Sequence, residues 1–214
     1  MLVVDWMTPD PFTVSPETPV LDAIQLLSQR GFRRLPVVEA GYLLGIVTDK
    51  DLKEAMPSKA SSISTFEQNY LLSRLSVREV MASELVTVSA EAPLEKAALL
   101  MEEHRIGGLP VLREEQLVGI ITITDVLRAF IDVMGLREGG IRLTVEVPDQ
   151  PGALSQLAQV LQPSNVVSVA TTSRHDGRTK MVLRVAGEAS ETALERLLKH
   201  RGHLILTARA QRED

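Results

Sequence analysis

Two threonine–aspartate pairs hold most of the chemistry that this chain's residue types allow. Thr48 and Asp51 lie in the stretch GIVTDKDL that begins at Gly45, and Thr122 and Asp125 lie in GIITITDV beginning at Gly119. Glycine, isoleucine, threonine and aspartate therefore recur at one spacing. An ionised aspartate offers only acceptors and suits the vicinal diol of a ribose, which offers two donors. A threonine at the mouth of a helix can donate to a phosphate oxygen, where first-turn N–H groups and the helix dipole favour negative charge. Glycine lets the backbone bend or come close without a side chain in the way. Thr-x-x-Asp is equally a helix-capping pattern that needs no ligand, and the residues alone leave both readings open.

Ahead of each pair runs a Leu-Pro-Val segment, Leu35 to Val37 and Leu109 to Val111. The residues before it differ. Arg33-Arg34 would crowd the space and supply charge suited to phosphate, whereas Gly107-Gly108 would leave room for a flat base or permit an unusual backbone. Two unlike sites are expected.

Other chemistries find less support. The chain has no cysteine, which excludes disulfides, thiolate catalysis and cysteine-ligated metals. A formal net charge of -5, with its basic residues scattered, lacks the positive footprint of a nucleic-acid binder. His200 and His203 stand three apart and could chelate a metal, but their place near a helix end reads as ordinary surface; no metal site is expected. No G-x-S-x-G elbow, P-loop, G-x-G-x-x-G or H-E-x-x-H motif occurs, so catalysis is not expected. The longest apolar runs are strand-sized and far short of a membrane span, and the acidic start MLVVDWMTPD lacks a basic signal-peptide head. A soluble protein of the cytoplasm is the expectation.

The elements that must position the two pairs are themselves repeated. An offset of 74 residues carries Met7 onto Met81, Thr13 onto Thr87, Pro19 onto Pro93, Ala23 onto Ala97 and Gly45 onto Gly119, with no gap. This is an internal duplication. Each copy predicts a short strand at Thr-Val-Ser, a helix with proline at an early position, a hairpin across the polar breaks EAGY or REEQ, and a short helix from the Thr-x-x-Asp. Copies this small are expected to pack on each other. Between them, PSKASSISTFEQNYLLSRLSV predicts a loop and then a helix opened by a Ser64-x-x-Glu67 capping box. After MGLREGG, a flexible joint, the pattern IRLTVEV, DQPGALSQLAQVL, VVSVATTSR, TKMVLRVAG, SETALERLLKHR and HLILTARA predicts β-α-β-β-α-β, a ferredoxin-like order. Asp149 is placed to cap the first of its helices, with Pro151 and Gly152 in the turn.

The duplicated unit resembles the CBS domain, and the pair resembles a Bateman module, which binds adenosine-containing ligands between its halves. The last unit looks like an ACT domain, on Asp149-Gln150-Pro151-Gly152-Ala153-Leu154 and Asn165-Val166-Val167-Ser168-Val169. The order of the three, with the inserted helix, is similar to AcuB-type acetoin-utilisation proteins, a regulatory group. The fold class this resemblance implies is α+β, a tandem CBS-domain pair plus a C-terminal ferredoxin-like βαββαβ (ACT-like) domain. The expected boundaries are 1–60 and 77–133 for the two copies, 61–76 for the insert, 134–140 for the linker and 141–214 for the ACT-like unit. The resemblance implies ligand-binding residues at Arg34, Leu35, Pro36, Thr48 and Asp51, and at Gly108, Leu109, Pro110, Thr122 and Asp125. It further implies that the turn at Asp149, Pro151 and Gly152 holds an amino acid or serves dimerisation. No cofactor is implied beyond an adenosine nucleotide acting as effector (AMP, ADP, ATP or similar). The partners implied are a second copy of the chain in a homodimer and a regulated enzyme, with a role in acetoin or acetate metabolism. A constitutive dimeric scaffold with degenerate clefts is the alternative.

Overall fold

The protein is described by a computed structural model, covering residues 1–56, 74–187, 192–199 and 207–212. The expected insert helix and the histidines at 200 and 203 lie outside the described residues. The chain divides into two compact units, Met1–Val126 and Leu127–Asp214.

In the first unit, one copy supplies β1 (Thr8–Pro9), α1 (Val20–Arg30), β2 (Arg34–Glu39), β3 (Tyr42–Thr48) and α2 (Asp49–Glu54). The other supplies β4 (Val88–Ser89), α3 (Leu94–Glu103), β5 (Gly108–Arg113), β6 (Gln116–Thr122) and α4 (Ile123–Val133), the last continuing into the second unit. The sheet runs β2-β3-β6-β5-β4, with β1 on β6. Both hairpins turn on two residues of positive φ, Ala40-Gly41 and Glu114-Glu115, whose twist matches that of the strands they join. Each also bulges at the same place, after Val37 and after Val111. Thr-Val-Ser forms a two-residue strand only in the second copy; in the first it is reduced to a single bridge from Val14 to Val37. Pro19 and Pro93 sit at the N-cap rather than inside the first turn.

The two copies exchange their leading segments. Val3 N–H donates to the Ala92 carbonyl and Val77 N–H to the Thr18 carbonyl, each at 2.9 Å. Thr8 pairs with Ile120, and Ile46 bridges to Ala82. This exchange accounts for the recurring glycines. A Cβ on Gly119 would overlap Met7 Sδ and lie 3.0 Å from the Thr8 carbonyl oxygen, and one on Gly45 would meet Met81 and the Ala82 carbonyl in the same way. The glycines make room for the other copy's methionine and strand. We expect Gly119→Ala to destabilise the first unit by about 1–3 kcal/mol through overpacking, and Met7→Ala, but not Met81→Ala, to relieve part of that loss. Chemical denaturation of the single and double variants measures this coupling.

A core of Val20, Ala23, Leu27, Leu35, Val37, Val47, Leu52 and Val77 fills the first half of this unit. On α1 the helically spaced Val20 and Leu27 are buried and Ile24 only partly so, and Val77 from the second copy joins this core.

The second unit is β7 (Ile141–Pro148), α5 (Ala153–Leu161), β8 (Asn165–His175), β9 (Arg178–Ala186), α6 (Ala193–Lys199) and β10 (Thr207–Arg212). Its sheet order, β10-β7-β9-β8, is antiparallel throughout, which is the ferredoxin-like arrangement expected from the element order. The last strand is described from Thr207, so the HLIL part of the expected strand lies outside the described residues. β7 alternates strictly: Ile141, Leu143, Val145 and Val147 are buried, with Arg142, Thr144 and Glu146 only partly so. The buried set packs on Leu157 and Leu161 of α5, Leu183 and Val185 of β9, and Leu197 of α6. Asp176-Gly177 turns the β8–β9 hairpin with positive φ at both residues, as its Asp-Gly sequence favours. Arg184, nearly buried on β9, donates from Nε to the Met134 carbonyl and from Nη1 to that of Gly139, while Ser168 Oγ donates to Met134 as well. The linker segment is thereby tied to the sheet of this unit.

Candidate functional site

Both Thr-x-x-Asp pairs fold as helix caps. Asp51 Oδ2 accepts from Thr48 N–H at 2.8 Å and Thr48 Oγ1 at 2.7 Å, and Asp51 N–H returns a bond to Thr48 Oγ1 at 3.3 Å. In the second copy, Asp125 Oδ2 accepts from Thr122 N–H at 2.9 Å and Thr122 Oγ1 at 2.6 Å. The capping reading is therefore satisfied in each copy. Capping alone takes two of the roughly four acceptor positions that a carboxylate offers.

The two pairs differ in their surroundings. Thr122 and Asp125 line a cleft of about 610 Å³, together with Thr124, Arg33, Arg34, Pro36, the segment Thr8 to Phe12, and Gly107. That is the size of an ordinary small-molecule site. The cleft draws on both copies: Arg34 and Pro36 come from the strand of the first, and Thr122 and Asp125 from the helix mouth of the second. Thr48 and Asp51 do not line it, nor do Gly108 and Pro110. Leu35 and Leu109, expected among the lining residues, are fully buried instead. Strand alternation decides this, since Arg34 and Pro36 face the cleft and Leu35, between them, faces the core. The room expected beside Gly107 and Gly108 is taken by the Arg34 guanidinium, which lies against both.

Arg34 is half-buried, and among the described residues nothing hydrogen-bonds or pairs with its guanidinium. Burial, and then the neighbouring charge of Arg33, push its guanidinium below the ordinary arginine value. It remains a cation at any physiological pH. One wall of the cleft is aromatic: the rings of Phe12 and Phe32 lie 5.5 Å apart and tilted by 40°, and the Arg30 guanidinium sits 4.6 Å over Phe12. These two phenylalanines, with Asp10 and Thr124, were missed in the sequence. Phe32 could have been found by extending the Leu-Pro-Val segment three residues upstream. Phe12 has valine as its counterpart at Val86, so the repeat gives no signal for it.

In the second unit, Asp149 is not the cap expected of it. Gly152, at φ 84°, occupies the N-cap of α5 with no side-chain bond. Asp149 Oδ1 instead accepts from the buried Thr179 hydroxyl at 2.8 Å, and its N–H donates to the Gly177 carbonyl. The turn at Asp149, Pro151 and Gly152 is thus anchored to the β8–β9 hairpin. Among the described residues no group of three or more histidine, aspartate or glutamate side chains is arranged to hold a metal ion, and no helix is long and apolar enough to cross a membrane.

Comparison with known proteins agrees with this architecture. The CBS domain model matches residues 3–58 and 77–132, together more than half of the chain, and the TTHA0829-like ACT domain model matches residues 139–209. The CBS domain-containing protein YhcV of Bacillus subtilis is 35% identical over 123 residues, 58% of this chain and 81% of that protein. A crystal structure named as an acetoin utilization protein (AcuB), from Vibrio cholerae, is 34% identical and superposes with a TM-score of 0.54, covering 64% of this chain and 96% of the other. Two further solved structures hold adenosine compounds. CBSX2 in complex with AMP is 32% identical, with a TM-score of 0.51 over 62% of this chain and 97% of that one. The CBS domain pair of MJ0100, with 5'-methylthioadenosine and S-adenosyl-L-methionine, is 27% identical, with a TM-score of 0.51 over 61% and 95%. The chain belongs to the CBS domain family, as a tandem CBS pair followed by an ACT domain.

Proposed function

We propose that this protein is a non-catalytic regulator that senses a phosphorylated adenosine ligand in the cleft between Arg34 and Asp125. The observation that carries this reading is the convergence, in one cleft, of a half-buried arginine, a nearly buried carboxylate and an aromatic wall. The Asp125 carboxylate would accept from the ribose hydroxyls. Arg33, Arg34 and the first turn of α4 would hold phosphate. Phe12 and Phe32 offer ring faces to the base. The two neighbours with bound AMP, or with methylthioadenosine and S-adenosylmethionine, support the adenosine class.

The route for the signal is α4. Thr124 and Asp125 lie in its first turn, and the helix leads directly into the ACT unit. A ligand transmits a signal only if it binds two arrangements with different affinity. A homodimer and a regulated partner enzyme belong to the same reading. The dimer is supported by an exposed apolar stripe on α4, formed by Ile123, Leu127 and Phe130. A role in acetoin or acetate metabolism is supported only by the likeness to the AcuB structure.

Thermal unfolding of the full chain against AMP, ADP, ATP, S-adenosylmethionine and NADH, with GMP and adenine as controls, tests the site. A ligand at a hundred times its Kd adds about 2.7 kcal/mol to the native state, which raises the midpoint by roughly 5–10 °C. A selective rise with phosphorylated adenosine compounds is the expected outcome. The capping bonds through the aspartate Oδ2 in both copies favour a second reading, a constitutive dimeric scaffold with degenerate clefts. No shift with any adenosine compound would establish it in place of the first.

A further inference from the structure

The two copies differ in the residues just ahead of Leu-Pro-Val, at the start of the strand that faces the cleft. Arg33 and Arg34 of the first copy correspond to Gly107 and Gly108 of the second. The symmetry that builds the cleft at Thr122 and Asp125 also assigns a twin to Thr48 and Asp51, in which Gly108 would stand as Arg34 does in the first. That place is filled. The Arg34 guanidinium lies over both glycines: a Cβ on Gly107 would come 2.8 Å from Nη2, and one on Gly108 would overlap Nη1. Arg34 thus lines one cleft while covering the corresponding wall of the other. Its partial burial and the nearby charge of Arg33 make it a cation that gains by meeting an anion.

We infer that Arg34 sets both the class and the number of ligands. It binds a phosphate of the nucleotide in the Thr122–Asp125 cleft, and by covering Gly108 it keeps a second adenosine ligand out of the twin cleft. The unit then takes one phosphorylated adenosine compound per chain. This rests on the adenosine reading of the cleft given above.

Isothermal titration of the full chain with AMP and with adenosine tests the inference, using the wild type, Arg34→Ala and Arg34→Lys. The wild type should bind one AMP per chain and prefer it to adenosine by about tenfold or more, as hydrogen bonds to a charged group imply. Arg34→Ala should bring the two affinities within about threefold and admit a second ligand. Arg34→Lys, which keeps the charge without the planar fork, should retain an intermediate preference. A melting temperature close to wild type confirms that each variant is folded. Two AMP molecules bound to the wild type, or an Arg34→Ala protein that keeps both the single site and the preference, overturns the inference. Equal binding of AMP and adenosine to the wild type overturns the role of Arg34 alone and leaves the adenosine site standing. If no adenosine compound binds, the reading of the cleft fails, and the inference with it.

Discussion

Asp125→Ala is expected to weaken AMP binding by about a hundredfold or more, whereas Asp51→Ala should change it by less than about threefold. Hydrogen bonds to a charged group are each worth roughly 1.5–3 kcal/mol, and a carboxylate that receives both ribose hydroxyls loses two of them. The residues are pseudo-symmetric and have the same capping bonds through Oδ2, so loss of the cap should cost each variant a similar stability, about 1 kcal/mol. The difference between them lies in the cleft. Asp125 lines it beside Arg34, whereas Asp51 belongs to the twin that Arg34 covers. Titration calorimetry on both variants, with melting temperatures measured alongside, separates the two contributions. Equal losses of affinity would show that both clefts bind. Equal and small losses of stability, with affinity unchanged in both, would leave the aspartates as caps and nothing more.

Much of this arrangement is legible in the sequence, and the parts that are not share a cause. The repeat, the hairpins and the ferredoxin-like order are written in local patterns: alternation in IRLTVEV, the Asp-Gly turn at Asp176, and helical spacing at Val20, Ile24 and Leu27. Which residues share a cleft is a different kind of fact. It depends on the exchange of leading segments between copies, a set of contacts between residues distant in the sequence, such as Thr8 with Ile120. Reading each copy separately placed Leu35 and Leu109 beside the ligand because they lie within the family motif. Strand alternation, applied once the facing residues are known, sends them to the core. The same exchange explains why Phe12 went unnoticed, since its partners lie in the other copy. At Asp149 the reason is more local. Residue type and position point to a cap, but the glycine at 152 adopts a left-handed conformation and starts the helix without it, leaving Asp149 to Thr179.

The two units have separate cores, and this makes transmission between them measurable. Leu157 is fully buried among Leu143, Leu161, Leu183 and Leu197. Leu157→Ala removes its transfer free energy and leaves a cavity, a loss of about 2–5 kcal/mol. For a unit of this size that lowers the midpoint by roughly 10–30 °C, a large part of the ordinary stability of a domain. All of its packing partners lie in the C-terminal unit, so AMP binding at the cleft should persist at temperatures where the N-terminal unit is folded. Scanning calorimetry should then resolve two transitions, with Leu35→Ala moving the other one, since Leu35 packs in the core of the N-terminal unit. A single transition that falls as a whole in both variants would mean that the units unfold together. Where two transitions are seen, the ligand reports on coupling. AMP bound at the cleft directly stabilises only the unit that holds it, so a regulator that passes its state along α4 must show the C-terminal transition moving as well. A rise confined to the N-terminal transition would mark a binding protein whose ACT unit does not respond to the ligand.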